Sequence, residues 1–160
     1  MSTHRVTAKA GISARGRQVA VVAARFHAEV VDTMVAGAIA AWIRHDGDPE
    51  ALTVVRTPGA FELPLAARKL AETGRYDAIV ALGCVIRGET AHYDFVAGEA
   101  ARGIADAARD TGIPVAFGVL TTETLDQALE RASPEEMDKG GEALESALEM
   151  VLLLEEIGAP

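Results

Sequence analysis

Side chains that can transfer protons or attack electrophiles are concentrated in one short segment, LGCVIRGETAHYDF, residues 82–95. It contains the chain's only cysteine, Cys84, and His92, one of its four histidines. An imidazole with an unperturbed pKa of about 6.5 exchanges protons at neutral pH, so His92 is the candidate general acid or base. The alternative is a loop histidine that only forms hydrogen bonds with its neighbours. Cys84 could be a nucleophile beside His92, but its apolar neighbours should raise the thiol pKa, which favours a structural role.

Two cationic side chains are candidates for binding an anion. From Asp110 to the C-terminus, the only cations are Arg131 and Lys139. A guanidinium isolated in an acidic segment suits bidentate binding of phosphate. Either cation could instead pair with Glu135 along a helix. The RGET segment, residues 87–90, offers further backbone N–H groups just before a helix, where anions often bind.

Two predicted loops carry aromatic and acidic side chains. Phe26 directly follows the first predicted strand, where its ring could stack on a planar ligand or cap the core. Phe61 and Glu62 lie in the segment TPGAFELP. Glu62 could accept hydrogen bonds from ligand hydroxyls, or it could stabilise a helix N-terminus with no ligand. The sequence has no metal-ligand spacing and no nucleotide-binding glycine motif, so we expect no metal site.

These residues need a framework that brings them together. Continuous apolar runs predict strands buried on both faces over residues 18–24, 52–57, 78–86 and 114–121. Apolar residues at helical spacing predict helices over residues 31–42, 63–73, 97–110 and 124–132, and a last helix around 144–152. This alternation predicts an α/β fold with three layers, αβα, in which helices flank a flavodoxin-like, four-stranded parallel sheet.

Such folds bind ligands beyond the carboxyl ends of their strands. This rule places residues 25–27, 57–62, 87–94 and 121–122 along one rim. We expect residues 1–160 to form a single domain, in which residues 1–12 are a flexible N-terminal arm.

The overall charge limits the partners. A formal charge of −9 argues against nucleic acid as the main partner. Basic residues nevertheless precede the first acidic residue, Glu29, so a basic N-terminal arm is an alternative to a solvated or subunit-contacting terminus. No apolar stretch is long enough to span a bilayer, and a single cysteine fits a reducing compartment, so we expect a cytoplasmic protein without membrane contact.

Several motifs, in order over nearly the whole chain, together resemble the lumazine synthase family of riboflavin biosynthesis. They are RF at 25–26, PGAFELPLAARKLA at 58–71, YDAIVALGCVIRGET at 76–90, DFV at 94–96, PVAFGVLTTETLDQALERA at 114–132 and DKG at 138–140. The resemblance implies an enzyme without a cofactor. It would condense 5-amino-6-ribitylaminouracil with 3,4-dihydroxy-2-butanone 4-phosphate to give 6,7-dimethyl-8-ribityllumazine, phosphate and water.

The resemblance also implies roles for the rim residues. His92 would transfer protons, and Phe26 would stack on the pyrimidine. The residues expected on the ribityl side are Ala60, Phe61 and Glu62. The residues expected to line the pyrimidine site, through backbone and apolar contacts, are Cys84, Val85 and Ile86.

A second group of residues is implied at the phosphate and at a subunit boundary. By the same resemblance, Glu89 and Thr90 would meet the phosphate and Arg131 would bind it. Phe117 would approach from a neighbouring subunit, and Lys139 is a further candidate.

The family builds pentamers, some of which assemble into an icosahedral capsid of sixty subunits, and riboflavin synthase is an expected partner. Capsid formation goes with a short turn before the last helix. Residues 132–138, between Arg131 and Lys139, have the shorter family length, which favours the capsid. An argument against the capsid is that a helix could start in this segment, at Ser133, Pro134 and Glu136, and redirect the contact between pentamers.

Three positions depart from the family pattern. Ala91 stands where proline is usual, which should make the His92 loop less rigid. His27 replaces a common asparagine, and SPEEM at 133–137 replaces a segment richer in glycine. Two other classes of protein stay open: a catalytically silent homologue that binds riboflavin-like ligands, and a receiver-like or flavodoxin-like signalling module.

Overall fold

The computed structural model describes residues 11–158, which contain a four-stranded parallel sheet. Its strands are β1 (Val19–Ala24), β2 (Leu52–Thr57), β3 (Ala78–Ile86) and β4 (Val115–Thr122). Their order across the sheet is β2, β1, β3, β4, so β2 and β4 are the edge strands. All three ladders are parallel, as the alternation of strands with helices requires.

Within residues 11–158, five α-helices connect and follow the strands. They are α1 (Ala28–Arg44), α2 (Leu63–Glu72), α3 (His92–Thr111), α4 (Leu125–Ala132) and α5 (Lys139–Gly158). Short 3₁₀ turns, Pro49–Ala51 and Ala60–Glu62, precede β2 and α2. The predicted α/β fold is confirmed, and the predicted strand bounds agree with the structure to within one residue.

The central strands are apolar throughout because each faces a helical layer on both sides. In β1, Val19, Val21 and Ala23 pack into a cluster with residues of α1, α4 and α5. Ala20, Val22 and Ala24 alternate with them and pack with residues of α2 and α3 on the opposite face. The period of two in side-chain direction therefore produces the three layers.

Helix α3 begins at His92, five residues before the predicted start at residue 97. The His92 N–H donates a hydrogen bond of 3.4 Å to Thr90 Oγ1 at this start. Tyr93 and Val96 then extend the apolar stripe by packing against the core. His92, Asp94 and Phe95 lie on the exposed face of this first turn, and their mixture of polar and apolar side chains hid the helical period.

The segment that precedes α5 is a turn, and it does not start a helix at Ser133. The Ser133 carbonyl accepts hydrogen bonds from Glu136 N (3.1 Å) and Asp138 N (2.9 Å), which close the turn. Asp138, with φ of 44°, then accepts a hydrogen bond from Gly141 N on Oδ1 (3.1 Å) and caps α5. The last helix therefore begins at Lys139.

Residues 1–10 of the expected N-terminal arm lie outside the described residues. Ile12, near the end of that arm, is buried in the cluster formed with α1 and α5. Among the helices of residues 11–158, none has the length and apolar character needed to cross a membrane.

Candidate functional site

A cleft opens where the β1–β3 ladder ends. The last paired residues are Ala23 and Leu82, but β3 continues to Ile86 along β4 alone. Cys84, Val85 and Ile86 therefore extend beyond the end of β1, with one strand edge turned toward the cleft. We call this space the rim cleft; its volume is about 650 Å³, in the range of small-molecule sites.

The rim cleft gathers most of the predicted site residues. Its walls come from the end of β1, the turn after β2, the end of β3 and the start of α3. The lining residues are Phe26, His27, Pro58, Gly59, Ala60, Phe61, Glu62, Cys84, Val85, Ile86, Gly88, Thr90, His92, Tyr93, Phe95 and Val96. Glu89 is exposed and is not among them.

Phenylalanine rings dominate the walls. Phe26, Phe61 and Phe95 all line the rim cleft, with 56% to 70% of each side chain exposed. Phe26 is 66% exposed, so in this chain it does not cap the core. Phe95 was missed at the sequence level because its position on the cleft depends on where α3 begins. Exposed rings around a concave space are suited to stacking on a planar ligand.

His27 packs against the ring of Phe26. Their ring centroids are 4.4 Å apart with an interplanar angle of 60°, an edge-to-face contact. His27 has φ of 58° and lies just before α1, in the left-handed conformation that Asn and His tolerate better than bulkier residues. This backbone turn separates α1 from the end of β1 and leaves Phe26 at the mouth of the cleft.

His92 is the first residue of α3, and its side chain is exposed to the rim cleft. Within the described residues its imidazole has no hydrogen-bond partner, so both ring nitrogens are available to a ligand. The preceding Ala91 has φ of −70°, close to the value that a proline ring imposes. The helix start thus keeps a proline-like geometry at this position without the proline.

Two residues of the rim cleft are constrained by the protein: Cys84 by burial and Glu62 by a hydrogen bond. Cys84 is 3% exposed, and burial raises the pKa of its thiol to about 11. A thiol with that pKa is protonated at neutral pH, which favours the structural role expected for Cys84. Glu62 Oε2 accepts a hydrogen bond of 3.0 Å from Gly59 N and stabilises the turn before α2. Its carboxylate nevertheless lines the cleft.

Three other predicted site residues lie in a second space, which we call the edge cleft. It has a volume of about 440 Å³ and runs along the edge strand β4, between α4 and α5. Phe117, Arg131 and Lys139 line it, and no residue lines both clefts. The structure therefore does not bring Phe117 and Arg131 together with His92 in one cleft of one chain.

The two cations of the edge cleft have only local partners among the described residues. Arg131 Nη1 donates to the Gln127 carbonyl at 3.1 Å and lies 3.7 Å from a Glu130 oxygen. Lys139 Nζ pairs with Glu142 at 2.8 Å. Neither cation pairs with Glu135, the partner considered from spacing. Both pairs are partly exposed, so an anion can compete for the cations at small cost.

The two clefts offer complementary chemistry. The rim cleft has aromatic and apolar walls, the imidazoles of His27 and His92 and one carboxylate, and its lining within the described part of the chain includes neither lysine nor arginine. The edge cleft has two cations. A planar ligand with hydroxyl groups suits the first space, and a phosphate suits the second.

The fold and the clefts define a three-layer α/β protein whose candidate small-molecule site lies at the carboxyl ends of parallel strands. Comparison with known proteins identifies the family. A model of the 6,7-dimethyl-8-ribityllumazine synthase family matches residues 16–155, so the chain belongs to that family.

Named relatives resemble almost the whole chain. A 6,7-dimethyl-8-ribityllumazine synthase of Nitratidesulfovibrio vulgaris (strain DP4) is 47% identical over 154 residues, which cover 96% of this chain and 99% of the relative. The protein of the same name from Chloroherpeton thalassium is 44% identical over 151 residues, which cover 94% and 97% of the two chains.

Proposed function

We propose that the chain condenses 5-amino-6-ribitylaminouracil with 3,4-dihydroxy-2-butanone 4-phosphate, giving 6,7-dimethyl-8-ribityllumazine, phosphate and water in riboflavin biosynthesis. The observation that carries this proposal is the rim cleft. In a member of this family, it gathers Phe26, the turn 60–62, strand end 84–86 and His92 around one space.

The proposed chemistry needs positioning and proton transfer, and the chain offers both. The 5-amino group of the pyrimidine attacks the single ketone of the butanone, and a C=N bond forms as water leaves. Loss of a proton from C3 and of phosphate from C4, where a C–O bond breaks, gives an enol that tautomerises to a second carbonyl. The ribitylamino nitrogen attacks this carbonyl, and loss of a second water closes the ring. His92, with both ring nitrogens available, donates and accepts the protons of these steps. Phe26 stacks on the pyrimidine, and Cys84 to Ile86 contact its edge through backbone and apolar groups.

On the ribityl side, the proposal assigns contacts to the turn after β2. Ala60 and Phe61 form its surface, and Glu62 has one carboxylate oxygen on Gly59 and the other available to ligand hydroxyls. Thr90 and Glu89 would meet the phosphate at the start of α3. Of these two, Thr90 lines the cleft.

The phosphate site requires a second subunit in this proposal. Among residues 11–158, neither lysine nor arginine lines the rim cleft, so these residues offer a bound phosphate dianion no ammonium or guanidinium partner there. The edge cleft of a neighbouring subunit would supply Phe117, Arg131 and Lys139. We infer a homopentamer in which each rim cleft faces the edge cleft of the next chain, a head-to-tail contact that closes into a ring.

Further assembly is proposed from the turn before α5. Residues 132–138 have the shorter family length and form a closed turn, which favours a sixty-subunit icosahedral capsid. Light scattering distinguishes the assemblies, because sixty chains of 16.7 kDa have a mass of about 1 MDa and five have about 84 kDa. A stable, active monomer would contradict the shared site.

The biological setting is proposed from the reaction. A riboflavin pathway enzyme without a membrane-spanning segment in its described residues is expected in the cytoplasm. Riboflavin synthase, which would consume the lumazine product, is the proposed protein partner. We expect one domain to carry the whole activity.

The deciding experiment mixes the two proposed substrates with the protein and follows the fluorescence of 6,7-dimethyl-8-ribityllumazine. The parent chain should form product at a rate proportional to protein concentration, above the spontaneous reaction. His92→Ala is the matched control, because it removes the acid/base group and leaves the cleft walls. Tight binding of riboflavin-like ligands without any turnover would instead identify a catalytically silent homologue.

A further inference from the structure

The first turn of α3 is held by a side chain outside the clefts. Arg87 directly follows β3, and its N–H donates a 2.9 Å hydrogen bond to the Thr122 carbonyl. Its guanidinium lies over the ring of Tyr93, with Cζ 4.2 Å from the ring centroid. Nη1 lies 3.6 Å from Asp94 Oδ1. Arg87 therefore contacts the two residues that immediately follow His92.

The Arg87 guanidinium also binds a residue of the loop before α4. Arg87 Nε lies 3.1 Å and 3.0 Å from the two Glu123 carboxylate oxygens. The Glu123 N–H in turn donates to Gln127 Oε1 at 2.8 Å, within the capping box that starts α4. The hydrogen bond with Glu123 raises the pKa of Arg87, so its charge is constant over any assay range.

Few other interactions locate His92. The residue before α3, Ala91, makes no side-chain cap hydrogen bond, and the His92 N–H has only a long, 3.4 Å contact to Thr90. Tyr93, by contrast, is pressed between the core on one side and Arg87 on the other. The position of the imidazole thus depends on how firmly Tyr93 and Asp94 are held.

We propose that Arg87 is a positioning residue for His92, bracing the first turn of α3 against the loop between β4 and α4. The inference rests on the proposed function, because it assigns a residue that acts through the proposed acid/base group. Arg87 itself lines neither cleft. Its loss should allow the imidazole to move relative to bound substrate, which lowers the rate without removing a binding contact.

A double-mutant cycle tests this role. Arg87→Ala should lower kcat roughly tenfold, because small displacements of a catalytic group have large effects on rate. KM for the pyrimidine substrate and the melting temperature should stay near the parent values. In a His92→Ala background, the same change should alter kcat by less than about twofold, since no imidazole remains to be positioned.

The control is Arg102→Ala. Arg102 lies on the same helix and pairs with Glu99 at 3.0 Å, so its loss removes a comparable exposed ion pair away from His92. It should leave kcat unchanged. If Arg87→Ala impairs folding, Arg87→Lys replaces it in the same double-mutant cycle. Lysine keeps the charge beside Glu123 but loses the planar face over Tyr93.

The outcomes separate the two proposals. An equal fold-loss in both backgrounds, in a parent chain that forms lumazine, overturns the role of Arg87 and leaves the proposed function intact. A parent chain that forms no lumazine overturns both. A loss confined to chains that retain His92 supports the positioning role.

Discussion

The rim cleft takes its walls from four separate stretches of the chain between Phe26 and Val96, whereas residues 116–146 alone line the edge cleft. The first is aromatic and apolar with the imidazoles of His27 and His92, and the second contains the two cations Arg131 and Lys139. All four phenylalanines of the chain lie in these clefts, and each is between 49% and 70% exposed. Large exposed rings at both sites support the proposal that one chain holds two halves of a site, one with the imidazoles and the other with the cations.

Removing the His92 imidazole should have the largest effect on the rate of product formation. His92→Ala is expected to lower kcat about 100-fold, the low end for a general acid or base, because substrate positioning and the reactivity of amine and ketone survive. Assembly should not change. The measurement is initial lumazine formation together with light scattering. A kcat within threefold of the parent would remove His92 from the mechanism.

Arg131→Ala should impair only the edge cleft and its binding of phosphate. Loss of a charge-assisted hydrogen bond is expected to weaken the phosphate-bearing substrate by about 1.5–3 kcal/mol, roughly 10- to 150-fold. Binding of the pyrimidine should be nearly unchanged. Separate titrations of the two ligands measure this, with Arg109→Ala as the control for loss of an exposed arginine paired on α3. Equal losses for both ligands would make Arg131 structural.

Coexpression of the two variants tests whether the halves belong to different subunits. In mixed rings of His92→Ala and Arg131→Ala chains, roughly a quarter of the sites combine an intact rim cleft with an intact edge cleft. At concentrations of the phosphate-bearing substrate well below its KM for the parent, activity should therefore recover to about a quarter of the parent value, roughly 25 times that of the His92→Ala ring. If each chain carries its own complete site, mixing yields only the average of the two defective activities.

Phe26→Ala tests the aromatic wall of the rim cleft. It should weaken the pyrimidine or a bound product analogue by about 1–2 kcal/mol, in the lower range for stacking of a base on an aromatic ring. The phosphate-bearing substrate should bind almost as before, and the melting temperature should stay near the parent value because the ring is exposed. Unchanged affinity with a lower melting temperature would show that Phe26 is structural.

Much of the rim cleft was predictable because parallel strands end at a common edge. Once the strands at residues 18–24 and 78–86 are recognised, Phe26, Cys84 and Ile86 are expected along one edge of the sheet, and the observed pairing of β1 with β3 makes them neighbours. The start of α3 was not predictable from periodicity, because alternating polar residues in its first turn obscure the apolar positions Tyr93 and Val96. Phe95 was missed for the same reason.

The sequence by itself determined the layers, the order of elements and the chemical types available, because hydrophobic period and motif order are local properties of the chain. It also predicted the thiol of Cys84 as inert, since its apolar neighbours are adjacent in sequence. Only the tertiary structure decided that Phe117, Arg131 and Lys139 lie apart from His92. That separation depends on β4 being an edge strand with α4 and α5 packed beside it, a consequence of strand order that no local pattern encodes.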